Sequence, residues 1–388
     1  MNNKKIYIFC AVIIILAAIL TIVFINRNNF RKNVGLQSDD NQSNKTSITN
    51  NSENNNSSTE QDMSNNSSGQ SNETTISEKE IDKSGVAYNG WLSVNKKNIT
   101  NEKGEVFQLR GLSSHGINWF NDVLTYNNLE NLRYNWKTNA FRIVVYTDVG
   151  SDGYVYNQGS IKENIDNIVS IASKLDMYVI IDWHILADNN PQIHESNAIS
   201  FFDELSLKYA NMPNVIYEIC NEPNGQDVTW NNNVKPYAEK VIPVIRKNSP
   251  KALILVGTPT WCTDLKPVVE NPLNFENIAY TCHFYSGTHK AELRDKITYC
   301  LNSDIPIFIS ECGLTDASGN GGIYLNDFKE WINFINNNNL SWFYWSFSNK
   351  NEASAALSSN YNGSNSNMDD YLTESGSFIK SIFQSYNK

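Results

Sequence analysis

The sequence has no excess of basic residues. Its 388 residues include 31 Lys and Arg against 41 Asp and Glu, and the formal net charge is -10. A nucleic-acid-binding protein needs a basic surface that neutralises phosphates, so this balance argues against a nucleic-acid partner. The acidic composition instead suits a substrate that is neutral or weakly charged.

Cysteine is also scarce, and its placement argues against a metal centre, a disulfide scaffold and a lipid anchor. Of the 6 Cys, Cys10 lies in an apolar N-terminal run and the other five are scattered. They show neither the spacing of metal ligands nor a dense disulfide framework, and none follows a lipobox-like pattern. Because five is odd, at least one stays free or pairs outside the chain. We interpret most of them as small buried apolar residues, and the five are Cys220, Cys262, Cys282, Cys300 and Cys312.

The N-terminus contains one long run without charge. Residues 6–25 carry no charged side chain, which is enough length for a helix to cross the hydrocarbon core of a membrane. Polar residues follow directly, without the small-residue cleavage site of a secretory signal. We therefore predict a transmembrane signal anchor at residues 1–32 with an exported C-terminal part. The alternative is a cleaved signal. Arg27, Arg31 and Lys32 balance Lys4 and Lys5, which blurs the orientation that the positive-inside rule would assign.

Residues 33–84 are dominated by Asn and Ser and have almost no large apolar side chains. Such a segment buries too little surface to offset its ordering entropy, so we predict a disordered linker. A flexible coil of this length spans about 40 Å, which suits a tether that holds a domain away from a membrane. A spacer without a selected length fits the composition equally well.

Residues 85–388 form the predicted folded domain, whose length suits a single α/β barrel. Residues 88–107 have the pattern of an opening β-hairpin with a turn at residues 101–104. Eight strand patterns then alternate with amphipathic helical patterns, which predicts a (β/α)8 TIM barrel. An open doubly wound sheet is the alternative, but no glycine-rich phosphate loop follows any strand. The strand patterns cover residues 108–112, 140–146, 178–183, 215–220, 253–257, 278–283, 305–310 and 341–345.

Two of these strand patterns end in a glutamate. The run at residues 215–220 stops at Asn221, Glu222 and Pro223, because proline cannot donate to a sheet. The run at residues 305–310 ends at Glu311. In a parallel barrel the C-terminal strand ends form the catalytic face, and a pair of carboxyl groups is what glycosidic bond cleavage requires. A single Asn-Glu-Pro would be equally compatible with an ordinary loop.

Other polar and aromatic residues fall at the same strand ends. Arg142 lies inside a strand pattern, where an unpaired charge is costly, so we expect it to face a carboxylate such as Glu311. Any one of the histidines is more commonly structural, but three of the 5 His occur at strand ends together with the two glutamates. Aromatic content is 12%, which suits either stacking on sugar rings or a large aromatic core. The polar and aromatic residues at or near the strand ends are His115, Arg142, His184, His283, Tyr285 and Trp345.

In this order and at these spacings, the motifs resemble those of glycoside hydrolase family 5, specifically its bacterial endo-β-1,4-glucanases, or cellulases. The resemblance extends from about Val86 to Tyr386. Its stretches are residues 109–116 (LRGLSSHG), 141–142 (FR), 179–184 (VIIDWH), 216–223 (IYEICNEP), 283–285 (HFY), 309–311 (ISE) and 345–352 (WSFSNKNE).

The resemblance implies a retaining double displacement with Glu222 as acid/base and Glu311 as nucleophile. It implies a raised pKa for Glu222 and an ionised Glu311 beside Arg142 and Tyr285, with Asn221 on the sugar 2-hydroxyl. The further catalytic residues are then Arg142, Asn221, His283 and Tyr285. The substrate-binding residues are His115, Trp119, Tyr146, His184, Trp230, Trp261, Trp345, Lys350 and Glu352.

One residue departs from the family pattern, since Cys312 stands where an aromatic residue usually follows the nucleophile. It removes no catalytic group, and we expect neither a metal nor a cofactor. We predict a monomeric, membrane-anchored enzyme at the cell surface, or a secreted one, that acts on β-glucan. Alternatives are the same chemistry on mannan, xyloglucan, lichenan or xylan, a non-catalytic glycan-binding protein, and an adhesin.

Overall fold

A computed structural model describes residues 82–363 and 367–386 of the chain. The predicted anchor at residues 1–32 and nearly all of the predicted linker lie outside these ranges. Among the residues described, we find no helix with the length and apolar character needed to cross a membrane.

The strands confirm the predicted barrel. In chain order the strands are β1 (Ser93–Asn95), β2 (Asn98–Thr100), β3 (Arg110–Ser114), β4 (Ala140–Tyr146), β5 (Tyr178–His184), β6 (Val215–Glu218), β7 (Ile254–Val256), β8 (Ile278–Tyr285), β9 (Ile307–Gly313) and β10 (Trp342–Phe347). Eight of them are parallel and form a closed ring in the order β10-β3-β4-β5-β6-β7-β8-β9.

The longer helices bury an apolar face against the rest of the domain. In Gln158–Lys174 the buried residues Ile161, Ile165 and Ile168 recur every three or four positions, as a helix packed on one side requires. The helices and short turns are Val86–Asn89, Asn121–Val123, Tyr126–Tyr134, Gln158–Lys174, Glu195–Lys208, Trp230–Val234, Lys235–Asn248, Pro259–Cys262, Lys266–Glu270, Ala291–Asn302, Leu325–Asn337, Met368–Tyr371 and Glu374–Ser385.

The hairpin formed by β1 and β2 packs against the N-terminal ends of the barrel strands. Its Leu92 and Ile99 belong to the same buried cluster as the interior residues Ile180, Phe308 and Phe343. The prediction of a turn at residues 101–104 is correct, since Gly104 donates to the Asn101 carbonyl. The chain turns once more between β1 and β2, at Lys96, whose φ is 55°.

Strand β9 contains a bulge that determines which side chains face the interior. Thr281 and His283 of β8 pair with Phe308 and Glu311 of β9, so the one residue between them on β8 lies opposite two residues on β9. The same shift occurs against β10. A bulge re-aims side chains, and here the neighbouring residues Ser310 and Glu311 both reach interior partners.

Close packing between β3 and β4 gives a test of the barrel. A Cβ atom added at Gly111 would lie 2.2 Å from the Ala140 carbonyl oxygen and 2.7 Å from Phe343 Cε1. We expect Gly111→Ala to destabilise the fold by about 1–3 kcal/mol through overpacking, measured as a lower urea midpoint. Gly159→Ala is the matched control, because nothing lies within 4 Å of that position. It should be neutral or stabilising by up to about 1 kcal/mol, and equal losses in both variants would contradict this account.

Candidate active site

Arg142 of β4 lies at the centre of a polar layer inside the barrel. Its side chain is fully buried. Nε donates to Glu218, Nη1 donates to Ser113 and Glu311, and Nη2 donates to Asn221 and contacts Asp182. An arginine has five N–H donors, and this set supplies five acceptors. Burial opposes the charge, but the three carboxylates together raise the pKa of Arg142 above its usual value. The expected contact with Glu311 is present at 3.1 Å.

Glu311 is held by two donors. Arg142 donates to Oε2, and the Tyr285 hydroxyl donates to Oε1 over 2.7 Å. The carboxylate therefore has a fixed orientation at the end of the barrel, where Glu311 lines the cleft. Such a group is suited to attack on an electrophilic carbon, because its position requires no rearrangement.

Glu222 faces a histidine instead of an arginine. Its Oε1 lies 2.8 Å from His283 Nδ1. The residue follows β6 at the barrel mouth and is 9% exposed. Asn224 donates to the backbone carbonyl of Glu222 over 2.8 Å and so fixes the loop that carries it.

The two glutamates come close together at the barrel mouth. One ligand-type atom from each of Glu222, His283 and Glu311 lies within 4.8 Å of the others. These atoms are engaged by one another and by Arg142 and Tyr285. Hydrogen bonding therefore accounts for the cluster, and we assign no metal ligands to it. Carboxyl groups about 5 Å apart are the separation that a nucleophile and an acid/base require.

Burial dominates the titration of both glutamates. It raises the pKa of Glu222 to about 7 and that of Glu311 to about 7. For Glu311 this outweighs the lowering by Arg142 and the Tyr285 hydroxyl, so the prediction that these partners simply keep it ionised is incomplete. The hydrogen bonds still distinguish the two glutamates, because the Glu311 carboxylate accepts from two donors whereas Glu222 faces a ring nitrogen of His283. When the two carboxyl groups hold one proton between them, these contacts favour its position on Glu222.

Asn221 is oriented from below by two side chains. Its Oδ1 accepts from Arg142 over 2.8 Å, which places its NH2 group 3.3 Å from His184 Nε2. Since that nitrogen must accept, the His184 proton lies on Nδ1, which contacts Asp182 at 2.6 Å. Asp182 is fully buried, and burial raises its pKa to about 7. The amide of Asn221 is therefore fixed beside the two glutamates.

The glutamates open into a cleft of about 470 Å³. It is lined by eleven of the residues that the sequence singled out, together with Leu186, Thr260, Thr263, His289 and the loop at residues 317–319. Arg142 and Asn221 lie beneath it. The eleven are His115, Tyr146, His184, Glu222, Trp261, His283, Tyr285, Glu311, Trp345, Lys350 and Glu352.

Aromatic rings form the wall near β3 and β10. Trp345 stacks on His184 with an interplanar angle of 12° and contacts His115 at 4.9 Å between ring centroids. Trp119 lies at the rim, 39% exposed and 5.1 Å from Tyr146. Beyond Trp345, Glu352 accepts from its indole nitrogen and forms an ion pair with Lys350.

Trp261 projects from a left-handed turn after β7. Thr260, Trp261 and Cys262 have φ values of 58°, 52° and 58°. Residues other than glycine are strained in this left-handed backbone conformation, and such strain persists only where neighbouring contacts hold it. Here the Cys262 thiol donates to the Asn221 carbonyl over 2.9 Å, and the Trp261 amide donates to the Pro223 carbonyl. The turn leaves the Trp261 ring 49% exposed in the cleft.

The prediction that Trp230 stacks on sugar is wrong. Trp230 is only 1% exposed, its ring packs against Tyr280, and its indole donates to the Asn271 carbonyl. It belongs to the core between the barrel and the helices. Sequence alone does not distinguish a cleft tryptophan from a core tryptophan, because both follow strands in the same kind of segment.

Sequence reasoning missed Glu218, Ser310 and His289. Glu218 is a charged residue inside the apolar run of β6, and it is fully buried. The argument that required a partner for Arg142 could have identified it, since both charges interrupt strand patterns. The five cysteines in the described ranges are free and buried, as expected for small apolar residues. Burial raises the pKa of the Cys312 thiol, which fits its interpretation as a small buried apolar residue.

Comparison with protein families gives a match to the model described as Cellulase (glycosyl hydrolase family 5), over residues 100–351. Among similar proteins, an Endoglucanase from Clostridium saccharobutylicum is 47% identical over 294 residues, covering 76% of this chain and 65% of the relative. Endoglucanase A from Evansella cellulosilytica is 44% identical over 277 residues, covering 71% of this chain and 56% of the relative. The match thus spans less than two thirds of the length of these curated relatives.

Solved structures share the architecture. Cellulase Cel5C_n superposes with a TM-score of 0.73 at 43% identity, covering 77% of this chain and 93% of that one. A catalytic-domain variant of Thermobifida fusca endoglucanase Cel5A (E5), crystallised in complex with cellotetraose, gives a TM-score of 0.72 at 32% identity. The superposition covers 77% of this chain and 99% of that one.

Proposed function

The chain belongs to glycosyl hydrolase family 5, and we propose that it cleaves internal β-1,4-glucosidic bonds of cellulose-type glucans by a retaining double displacement. The proximity of Glu222 and Glu311 carries the proposal. Their carboxyl groups, together with His283, offer atoms within 4.8 Å of one another at the mouth of the barrel. An inverting enzyme would need a wider gap that admits a water molecule between the carboxyl groups.

The hydrogen bonds support a division of roles between the two glutamates. Glu311, oriented by Arg142 and Tyr285, attacks the anomeric carbon while Glu222 protonates the departing glycosidic oxygen. A covalent glycosyl-enzyme results, and the sugar remains bonded to Glu311. Glu222, now ionised, takes a proton from water, which displaces Glu311 and restores both carboxyl groups. Asn221 lies beneath this centre, and its NH2 group donates to the Ile185 carbonyl and contacts His184 Nε2, so contact with the sugar 2-hydroxyl would require it to exchange one of these bonds.

The layout of the cleft supports an endo-acting enzyme. In the barrel order, β7 lies opposite β3. Trp261 follows β7, whereas His115 and Trp119 follow β3, so aromatic surface is available on both sides of the glutamates. A glycan chain can therefore bind across the barrel mouth with its scissile bond over the carboxyl pair. We propose glucan as the substrate in place of the other β-glycans because the relatives are named endoglucanases.

Surface display is the further part of the proposal, and it rests on the sequence alone. Residues 6–25 are uncharged and long enough to span a bilayer, and the Asn- and Ser-rich residues 33–84 would hold the barrel away from it. Fractionation of cells that produce the full chain should place it with membranes, and protease added outside should release the barrel. Recovery of shortened chain in the medium would favour the cleaved signal. A monomeric state stays a prediction.

Replacement of either glutamate tests the chemistry. We expect Glu222→Gln and Glu311→Gln in the full chain to lower cleavage of carboxymethyl-cellulose and cellopentaose on the order of 10³-fold or more, since each removes an essential group. The unaltered protein should reduce viscosity quickly and release products of retained configuration. Gln at either position keeps the shape, so the unfolding midpoint controls for misfolding. Better turnover of mannan than of glucan would reassign the substrate, and binding without hydrolysis would refute the enzyme.

The two tryptophans with opposite environments give a matched pair. Trp261→Ala should raise KM for cellopentaose about 3- to 10-fold through lost stacking, with little change in the unfolding midpoint. Trp230→Ala should instead cost about 3–5 kcal/mol of stability, because it empties a core position. Steady-state kinetics and urea unfolding of both variants separate the effects. A KM defect in folded Trp230→Ala protein, with none in Trp261→Ala, would contradict the assignment.

A further inference from the structure

A series of hydrogen bonds leads from Glu222 into the polar interior of the barrel. Glu222 Oε1 lies 2.8 Å from His283 Nδ1, and His283 Nε2 lies 2.9 Å from Ser310 Oγ. The Ser310 hydroxyl donates to Glu218 Oε1 over 2.7 Å. Arg142 Nε donates to the other oxygen of Glu218, also over 2.7 Å. All five side chains are buried.

The proton positions in this series follow from its arginine end. The Arg142 guanidinium can only donate, which keeps Glu218 as an acceptor. Glu218 Oε1 receives the single hydroxyl proton of Ser310, so only the lone pairs of Ser310 remain for His283. His283 must therefore carry its proton on Nε2. When the imidazole is neutral, its Nδ1 is an acceptor that faces Glu222.

We propose that Glu218 and Ser310 are positioning residues that lock this tautomer of His283, so that Glu222 holds the proton that the leaving group needs. The inference rests on the acid role of Glu222 in the proposed function. A neutral imidazole with an accepting Nδ1 can bond only to a protonated carboxyl at Oε1. The proton is stored at this contact, and rotation of the Glu222 carboxyl carries it to the glycosidic oxygen. In the second step the proton taken from water returns to the same contact.

The surrounding charges favour the same arrangement. Burial lowers the pKa of His283 to about 4, although Glu311 and Glu218 oppose this while Arg142 adds to it. Burial raises the pKa of Glu222 to about 7, with Arg142 opposing and Glu218 adding. At a pH between these two pKa values, Glu222 is protonated and His283 is neutral. Other titratable side chains that interact with Glu222 are Glu311, Asp182, Tyr146, Cys262 and Tyr285.

The tautomer can be observed directly by ¹⁵N NMR of the full chain labelled at its 5 His. We expect the proton of His283 on Nε2, and its movement to Nδ1 in Ser310→Ala, where the hydroxyl acceptor is gone. His184 is an internal control, since its geometry places the proton on Nδ1 in both proteins. The pair of imidazole ¹⁵N signals that disappears in His283→Asn is assigned to His283. A His283 proton on Nδ1 in the unaltered protein, or no movement in Ser310→Ala, would overturn the proposal.

Kinetics test the consequence for the acid. An Nδ1–H group would stabilise ionised Glu222, so the alkaline limb of kcat/KM should move about one pH unit lower in Ser310→Ala. Ser310→Thr keeps the hydroxyl and should keep the limb. Ser206→Ala removes a buried serine in the helix Glu195–Lys208 and controls for general loss of packing. An unmoved alkaline limb in a folded Ser310→Ala enzyme would contradict the proposal.

Leaving-group dependence separates positioning from structure. Dinitrophenolate leaves without protonation, so Ser310→Ala should lose about tenfold on cellopentaose but less than about threefold on dinitrophenyl cellobioside. Equal losses on both substrates would indicate a merely structural role and overturn the proposal. If the unaltered chain cleaves neither substrate, the proposed function fails. The roles of Glu218 and Ser310 in setting the His283 tautomer are then tested by the NMR experiment alone.

Discussion

The buried guanidinium of Arg142 is the interaction on which the site depends. It is the cation around which the carboxylates Asp182, Glu218 and Glu311 gather, and each of its N–H groups has an acceptor. Leaving such a charge unpaired would cost several kcal/mol, so the strands that carry these side chains must keep the alignment that brings them together. The apolar layer below, closed by the hairpin, excludes water and strengthens these contacts.

Two histidines connect this layer to the cleft with opposite tautomers. His184 donates from Nδ1 to Asp182 and accepts from Asn221, whereas His283 donates from Nε2 toward Ser310 and presents Nδ1 to Glu222. In both cases the buried partner decides which nitrogen is protonated. The interior of the barrel thereby sets what each ring offers at the surface where we propose that the glycan is cleaved.

Much of the fold and of the candidate site could be predicted from the sequence, because local patterns and motifs specify the strands, the helices and the residues at the strand ends. The apolar strand runs and the period of helices such as Gln158–Lys174 recover the barrel, although strand ends differ by up to three residues. Glu222 and Glu311 were found because each ends a strand pattern. Trp230 was misassigned because burial depends on the helix packed over it, and Glu218 was missed because a lone charge in an apolar run resembles a strand end.

The sequence by itself determined the order of eight strand and helix units and the residue types at the strand ends, since the alternation of apolar and polar side chains is a local property. Only the tertiary structure decided which side chains meet. The bulge in β9 turns the adjacent residues Ser310 and Glu311 both toward the interior, which simple alternation along a strand forbids. Closure of the ring brings Arg142, Glu218 and Glu311 together across up to 169 residues of chain. The physical reason is that pairing between strands, and not local preference, fixes these positions.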